Sequence, residues 1–436
     1  MNKDIIFALS SGHGKSGVAV IRISGPDLQN FFMRLTNNSS QKIKPRYAYL
    51  TNLTDDDNIV IDQCIATYFP APHSFTGEDI IEIHCHGAPA VIEKIFEFLD
   101  DCNMRMANPG EFARRAFYNN KMDLTNVDGL AALLDARTDK QRAIALKSMT
   151  GGDSRIYESW RNSMIEVSAY AAAILDYADD ELPPDIGQKL HNITQKLLNE
   201  IQTSLRGYAA ARTIRSGFNI VLIGETNVGK SSLFNRLVGD SRAIVSEIPG
   251  TTRDVVSTEL DIDGYLVRLS DTAGIRESDD VIEKIGIEKT YNEIKNADLV
   301  LHVYSAPVKD IPPANENEII VFNKSDLVEI ISNHQNTVSV SAFSGLGIPK
   351  LLSIIKQRIK AQLSGVESDI VVNARTRALL ADVVTELDSA ITKSDNNYDI
   401  FSEHVRRAAN SIGKILGVIN ATDVADATFG QLCLGK

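Results

Sequence analysis

Apolar residues fall at steps of three and four through Ile156, Trp160, Met164, Val167, Ala171 and Ile174. The same stepping recurs through Leu190, Ile193, Leu197, Ile201 and Leu205. This spacing lines one face of an α-helix, so it predicts two long amphipathic helices whose stripes must be buried. Pro183-Pro184 lies between the runs and separates them into two arms, since proline removes a helical N–H and clashes with the preceding turn. A later helical run passes through Leu380, Val383 or Val384, Leu387 and Ile391. Elsewhere the pattern is that of strands. Residues 18–23 and 80–84 read as strands within a turn-rich stretch, an α+β pattern over residues 1–118. At Phe218 an apolar run, Asn219-Ile220-Val221-Leu222-Ile223, opens an alternation of strands and helices that lasts to about residue 362. The economical division is an N-terminal α+β domain over 1–118, a helical domain in two segments over 119–216 and 373–436, and an α/β domain inserted over 217–372. No internal repeat or long low-complexity tract interrupts it.

The length of 436 residues exceeds what one ordinary core accommodates. A hydrophobic content of 43% and a charged content of 23% fit globular domains, and no apolar run is long enough to span a bilayer. The first residues carry no signal-peptide pattern. The cysteines, Cys64, Cys85, Cys102 and Cys433, form no CxxC pair, which suits a reducing cytoplasmic location and gives no zinc pattern. A net charge of −12 argues against non-specific coating of polyanions, so any nucleic-acid contact is expected to be local or supplied by a partner.

Gly224-Glu225-Thr226-Asn227-Val228-Gly229-Lys230-Ser231 fits the P-loop pattern and lies between a strand and a helix opening at Ser232-Leu233. Its glycines let backbone N–H groups curl around phosphate, and the helix N-terminus adds a favourable dipole. Lys230 would reach the β- and γ-phosphates, which makes it catalytic as well as binding, and Ser231 would hold Mg²⁺. Gly12-His13-Gly14-Lys15-Ser16 also contains Gly-Lys-Ser, but it lacks the first glycine and precedes a strand, so it reads as a turn. Further pieces follow in order. Gly250-Thr251-Thr252-Arg253-Asp254 stands where a switch loop belongs, with Thr252 as second Mg²⁺ ligand. In Asp271-Thr272-Ala273-Gly274, Asp271 can orient the Mg²⁺ shell and the Gly274 N–H can sense the γ-phosphate. Asn323-Lys324-Ser325-Asp326 follows a strand, and its carboxylate can accept two hydrogen bonds from guanine, which adenine cannot supply. Ser341-Ala342 would back the base through main-chain N–H groups. The inserted domain is therefore expected to be a Ras-like P-loop GTPase, in a multidomain α/β and α chain. Ile275 stands where Ras-like proteins carry a water-orienting Gln, so hydrolysis needs a substitute.

Five stretches together closely resemble the tRNA modification GTPase family MnmE, also called TrmE. They are the P-loop with Asn227, Gly250-Thr-Thr-Arg-Asp254, Asp271-Thr-Ala-Gly-Ile-Arg276, Phe75-Thr-Gly-Glu-Asp79 and the terminal Cys433-Leu434-Gly435-Lys436. Pro109-Gly-Glu-Phe112 followed by Asn120-Lys-Met-Asp-Leu124 adds a further mark, and Leu434 departs conservatively from the usual Ile. The resemblance implies a homodimer that acts with a flavin-dependent partner, MnmG, to place a carboxymethylaminomethyl-type group on C5 of the wobble uridine of tRNA. It implies GTP hydrolysis stimulated by K⁺. Asn227 would give K⁺ a side-chain oxygen, and the loop Ser246-Glu247-Ile248-Pro249-Gly250-Thr251 would wrap the ion, with backbone oxygens from Ser246 and Ile248. An ion there can do the charge work of an arginine finger. Glu283 would position the attacking water. The N-terminal domain would bind a one-carbon folate such as 5-formyltetrahydrofolate through Arg22, Glu78, Lys121 and Lys436, with Cys433 close to the one-carbon unit. Arginine and lysine suit a folate's carboxylate tail, and a carboxylate suits its pterin edge.

Glu82-Ile83-His84-Cys85-His86 reads as a strand entering a turn at Gly87, without partner ligands for a metal. Two other functions compete. A ribosome-assembly or RNA-binding regulatory GTPase expects a basic RNA-binding module after the G domain, where this chain is helical and mixed in charge. A one-carbon transferase with a purely regulatory G domain is the other.

Overall fold

The computed structural model describes residues 4–37, 43–55, 57–177, 183–244, 256–271, 293–305, 314–327, 336–363, 373–393, 397–418 and 435. The chain forms two compact units, the first comprising Met1–Ala131, Ser148–Thr194 and Thr385–Lys436, the second Ala132–Lys147 and Gln195–Val384.

In the first unit six strands form one sheet in the order β3-β4-β5-β2-β1-β6. They are β1 (Ile6–Leu9), β2 (Ser16–Gly25), β3 (Tyr49–Thr54), β4 (Val60–Phe69), β5 (Asp79–Gly87) and β6 (Arg105–Met106). All neighbours are antiparallel except β1 and β6. Alternation along β2 and β5 sends Ile21, Ile23, Ile81 and Ile83 to one face, where helices α1 (Leu28–Leu35) and α2 (Pro89–Asp101) bring Phe32 and Leu99 to complete a core. The opposite face carries Arg22, which sits directly across from Glu82. Helices α3 (Glu111–Tyr118) and α4 (Leu124–Asp135) bury Phe112, Ala113, Leu124 and Val127. The Gly-Lys-Ser turn at 12–16 is exposed and runs into β2, so it opens no helix.

Of the remaining helices of this unit, one carries the first predicted stripe. Helix α6 (Gly152–Asp176) buries Tyr157, Trp160, Met164, Val167 and Ala171. It packs along the last helix, α12 (Tyr398–Leu416), whose Phe401, Val405, Ala408, Ile412 and Ile415 form the facing stripe. Asn397 caps α12 by accepting from the Asp399 and Ile400 N–H groups at 3.1 and 3.2 Å. The second of the two long predicted helices, α7 (Ile186–Arg206), starts two residues past Pro184.

The second unit is built on seven strands in the order β13-β12-β11-β7-β10-β9-β8. They are β7 (Phe218–Ile223), β8 (Arg242–Ile244), β9 (Val256–Ile262), β10 (Tyr265–Asp271), β11 (Leu299–Ser305), β12 (Glu318–Asn323) and β13 (Thr337–Ser339). β7, β10, β11, β12 and β13 pair in parallel, while β8 and β9 add an antiparallel edge. Ile220, Leu222, Leu269, Val303 and Val321 pack against α9 (Lys230–Asp240) and α10 (Ile348–Leu363). The near-continuous apolar runs of β7 and β12 follow from burial on both faces of a parallel sheet.

Helix α5 (Asp139–Met149) begins in this unit, where its first turn touches the β9–β10 hairpin. The Lys140 N–H donates to the Gly264 carbonyl at 3.3 Å, and Arg137 forms an ion pair with Glu259. The buried Gln141 amide donates to the carbonyls of Ile214 and Arg215, 3.1 Å each, at the end of α8 (Tyr208–Ser216). Helix α11 (Ala374–Lys393) carries the third predicted stripe, with Leu380, Val383 and Leu387 buried.

Candidate functional site

The loop that leaves β7 is shaped by backbone that side chains would forbid. Gly224 has φ +144°, and a Cβ there would lie 2.2 Å from the Val303 carbonyl oxygen. Gly229 has φ +93°, and a Cβ there would lie 2.3 Å from Asn323 Nδ2. Both positions therefore require glycine. Asn227 also takes a left-handed conformation, φ 62°, which asparagine tolerates better than most residues. The N-terminus of α9 follows at once, so its free N–H groups face the same loop.

Lys230 is 7% exposed, and its ammonium crosses the loop to donate to the Gly224 and Glu225 carbonyls at 2.8 and 2.7 Å. Ser231 Oγ donates to Asp271 Oδ2 at 2.9 Å. That bond joins the start of α9 to the end of β10 and gathers two hard oxygen donors, the chemistry a Mg²⁺ site needs.

A second contact ties the loop to the predicted base-recognition segments. Asn323 is 2% exposed. Its Nδ2 donates to the Val228 carbonyl at 2.9 Å, and its Oδ1 accepts the Ala342 N–H at 3.0 Å. Lys324, at φ 63°, donates to the Asn227 carbonyl at 2.9 Å. The buried Ser341 closes its own turn, with its N–H on the Leu346 carbonyl at 2.8 Å and its Oγ accepting the Ser344 N–H at 3.1 Å. Asp326 stands exposed at the end of the segment.

Among the predicted nucleotide residues, the structure thus brings together Asn227, Val228, Gly229, Lys230, Ser231, Asp271, Asn323, Lys324 and Ala342. Ser232 is exposed on the first turn of α9. Ser246, Glu247, Ile248, Pro249, Gly250, Thr251, Thr252, Thr272, Ala273, Gly274 and Glu283 lie outside the described residues. Leu327 and Phe343 received no role from the sequence. They directly follow Asp326 and Ala342 and are 71% and 90% exposed, so they flank the predicted base-recognition segments with apolar surface. Their adjacency to the two motifs was the available signal.

The N-terminal candidate site centres on the loop 75–79. Arg22 donates through Nε and Nη2 to one Glu82 oxygen at 3.0 and 2.8 Å, and its guanidinium lies over the rings of Phe75 and Phe112 at 5.3 and 5.8 Å. Glu78 Oε2 accepts from Ser24 Oγ at 2.9 Å and from Arg115 Nη1 at 3.0 Å. The aliphatic stem of Lys121 packs by Gly77, where a Cβ would meet its Cε at 3.3 Å. Arg22, Glu78 and Lys121 are therefore gathered around one loop, and a cationic head, a carboxylate and aromatic faces there fit the two ends of a folate.

Lys436 and Cys433 lie outside the described residues, but Gly435 is buried. Its carbonyl accepts from Ser10 Oγ at 3.0 Å, and its φ of +90° and a Cβ clash of 2.2 Å with the Leu9 carbonyl require glycine. Burial, with the Asp62 carboxylate adding to it, pushes the Cys64 and Cys85 thiols up to about 12 and about 11, so neither is a nucleophile at neutral pH. Among the described residues no group of three His, Cys, Asp or Glu could hold a metal ion, and no helix is long and apolar enough to cross a membrane.

Two family models match the chain in succession. The GTP-binding protein TrmE N-terminus matches residues 5–121, and the MnmE helical domain matches residues 124–433. A tRNA modification GTPase MnmE of Hyphomonas neptunium is 38% identical, covering 100% of this chain and 99% of that protein. The proteins of the same name from Agrobacterium fabrum and from Wolbachia pipientis of Culex pipiens are each 39% identical over 99% of both chains. With likeness at this level from end to end, the chain belongs to the MnmE family of tRNA modification GTPases.

Proposed function

We propose that this protein hydrolyses GTP and couples the hydrolysis to modification of the wobble uridine in tRNA. The observation that carries the reading is the joining of the phosphate loop to the guanine-recognition segment through Asn323, in a chain that aligns end to end with tRNA modification GTPases. In this reading the loop N–H groups of 227–232 and Lys230 hold the β- and γ-phosphates. Asp326 reads the guanine edge, and the Ser341 and Ala342 backbone supports the base. Mg²⁺ takes Ser231 and Thr252 as ligands, with Asp271 ordering its water shell.

Hydrolysis is stimulated by K⁺, held by Asn227 and the loop of Ser246, Ile248 and Thr251. The ion supplies positive charge where the transition state gathers negative charge. Glu283 orients the attacking water in place of the missing Gln. The N-terminal site holds 5-formyltetrahydrofolate or a related one-carbon folate through Arg22, Glu78, Lys121 and Lys436, and Cys433 stands near the transferred carbon. The protein works in the cytoplasm as a homodimer with an MnmG-type flavoprotein and tRNA. Residues 1–118 form its folate domain, 119–216 with 373–436 its helical domain, and 217–372 its G domain. The alternative of an RNA-binding regulatory GTPase gains no support, because the described residues from 348 onward form only helices α10 to α12 and their flanks.

Turnover compared in KCl and NaCl at equal ionic strength tests the cation assignment. Faster hydrolysis in K⁺, lost in Asn227→Ala, is expected. Equal rates in both salts would remove K⁺ from the mechanism.

A further inference from the structure

Behind the loop 75–79, α3 and β6 carry a charged cluster whose two arginines no sequence pattern singles out. The Arg115 side chain is only 10% exposed. Its Nη1 donates to Glu78 Oε2 and to the Asp4 carbonyl, 3.0 Å each. Its Nη2 donates to Asp4 Oδ1 at 3.0 Å and Glu111 Oε1 at 3.3 Å. A second arginine holds the same Asp4 and Glu111 carboxylates. Arg105 reaches both Glu111 oxygens at 2.6 and 2.9 Å and Asp4 Oδ2 at 2.7 Å. The plane of the Arg115 guanidinium is thus fixed from behind by groups that are themselves fixed.

In front of it the Glu78 carboxylate is only half used. Oε2 takes the Arg115 bond and the Ser24 hydroxyl at 2.9 Å. Ser24 is bonded in turn to Thr76 Oγ1 at 2.7 Å, and both hydroxyl residues are fully buried. The Thr76 hydroxyl also accepts the Glu78 N–H at 3.2 Å, which anchors the backbone that carries the carboxylate. Oε1 has no hydrogen-bond partner among the described residues, and the Glu78 side chain is 23% exposed. A carboxylate with one oxygen clamped and the other open is oriented to receive a ligand donor.

We propose that Arg115 is a positioning residue of the N-terminal site, clamping Glu78 Oε2 so that Oε1 is presented as a fixed acceptor for an N–H group of the ligand. The inference rests on the reading of this loop as a folate site, and it identifies the pterin edge as the part of the ligand that Glu78 receives, since that edge carries the N–H donors. The charge count makes the role specific. Asp4, Glu78 and Glu111 face two guanidinium groups, and Arg115 is the one that touches all three carboxylates. Lysine in its place keeps the charge but cannot fork between Glu78 on one side and Asp4 with Glu111 on the other.

The test is a double-mutant cycle on the full chain, with 5-formyltetrahydrofolate binding measured by calorimetry and the fold of each variant checked by circular dichroism. Glu78→Gln and Arg115→Gln should each weaken binding by about ten- to a hundredfold, the effect of losing one hydrogen bond to a charged group. The double variant should bind no more weakly than Glu78→Gln alone, because Arg115 acts only through Glu78. Arg115→Lys should recover part of the loss. Full affinity in Glu78→Gln would overturn the folate reading itself. A loss in Glu78→Gln with full affinity in Arg115→Gln, or with additive losses in the double variant, would overturn the positioning role and leave the folate site standing. Should Arg115→Gln fail to fold, the same cycle run with Arg115→Lys decides between these results.

Discussion

Replacing Asn323 by alanine removes the joint between the phosphate loop and the base-recognition loops. The side chain is 2% exposed and uses both ends of its amide, at 2.9 Å on the Val228 carbonyl and 3.0 Å under the Ala342 N–H. Truncation orphans one buried carbonyl and one N–H, and at about 1–3 kcal/mol for each unsatisfied group the loss is about 2–6 kcal/mol. Nucleotide binding requires the loops in their joined arrangement, so binding must offset part of that loss. A share of about 2 kcal/mol corresponds to a roughly thirtyfold weaker affinity. Asn323→Asp separates the two ends. It keeps an acceptor for Ala342 and sets a carboxylate against the Val228 carbonyl, so it should be at least as damaging. Titration with fluorescent GDP, together with urea unfolding with and without GDP, reads both quantities. Affinity within twofold of the parent, with stability changed by less than about 0.5 kcal/mol, the range of an ordinary surface substitution, would refute the reasoning.

Other expected outcomes follow from the same sites. Asp326→Asn should weaken guanine-nucleotide binding severalfold or more in the same titration while leaving the unfolding midpoint nearly unchanged, since Asp326 is exposed. Glu283→Ala should lower GTP turnover with little change in GTP affinity, and a parallel fall in affinity would assign it a structural role. Burial alone would raise the Glu111 carboxyl, but hydrogen bonds from Arg105 and the Asn108 N–H, with the Arg105 and Arg115 charges, hold it at about 2, well below the usual 4.5. Its folded-state pKa is lowered, so its contribution to stability is present above about pH 4.5 and is lost as pH falls towards 2. Glu111→Gln should therefore be less stable at pH 7, and its unfolding free energy should fall less steeply between pH 5 and pH 2.5 than the parent's. Deleting residues 433–436 should abolish tRNA modification while GTP hydrolysis persists, measured by nucleoside mass analysis and phosphate release.

The sequence revealed what is local and hid what is assembled from afar. The P-loop is legible because phosphate binding needs glycines at fixed spacing, and Gly224 and Gly229 stand where a Cβ would strike the Val303 carbonyl and Asn323. β7 and β12 are legible as apolar runs because a parallel sheet buries them on both faces. β4 is harder to read. Its Val60 and Ile65 are exposed while Cys64 and Ala66 are buried, so apolar residues fall on both faces and the period-2 signal vanishes. β6 is two residues long and exists through its pairing with β1, which no window of its own sequence announces. The Arg115 cluster joins residues 37 and 111 positions apart, so spacing carries no trace of it. Glu82 stood out only beside His84 and His86. Its partner proved to be Arg22 on the neighbouring strand, which register decides and local pattern does not.

Mass analysis of wobble uridines ties the nucleotide site to the tRNA most directly. Total tRNA would be compared from the parent strain, a strain lacking this protein, and that strain carrying either the intact protein or Lys230→Ala. The C5-modified uridine should disappear with the protein, return with the intact chain, and fail to return with Lys230→Ala. Unaltered wobble uridines in the strain lacking the protein would contradict the proposed function.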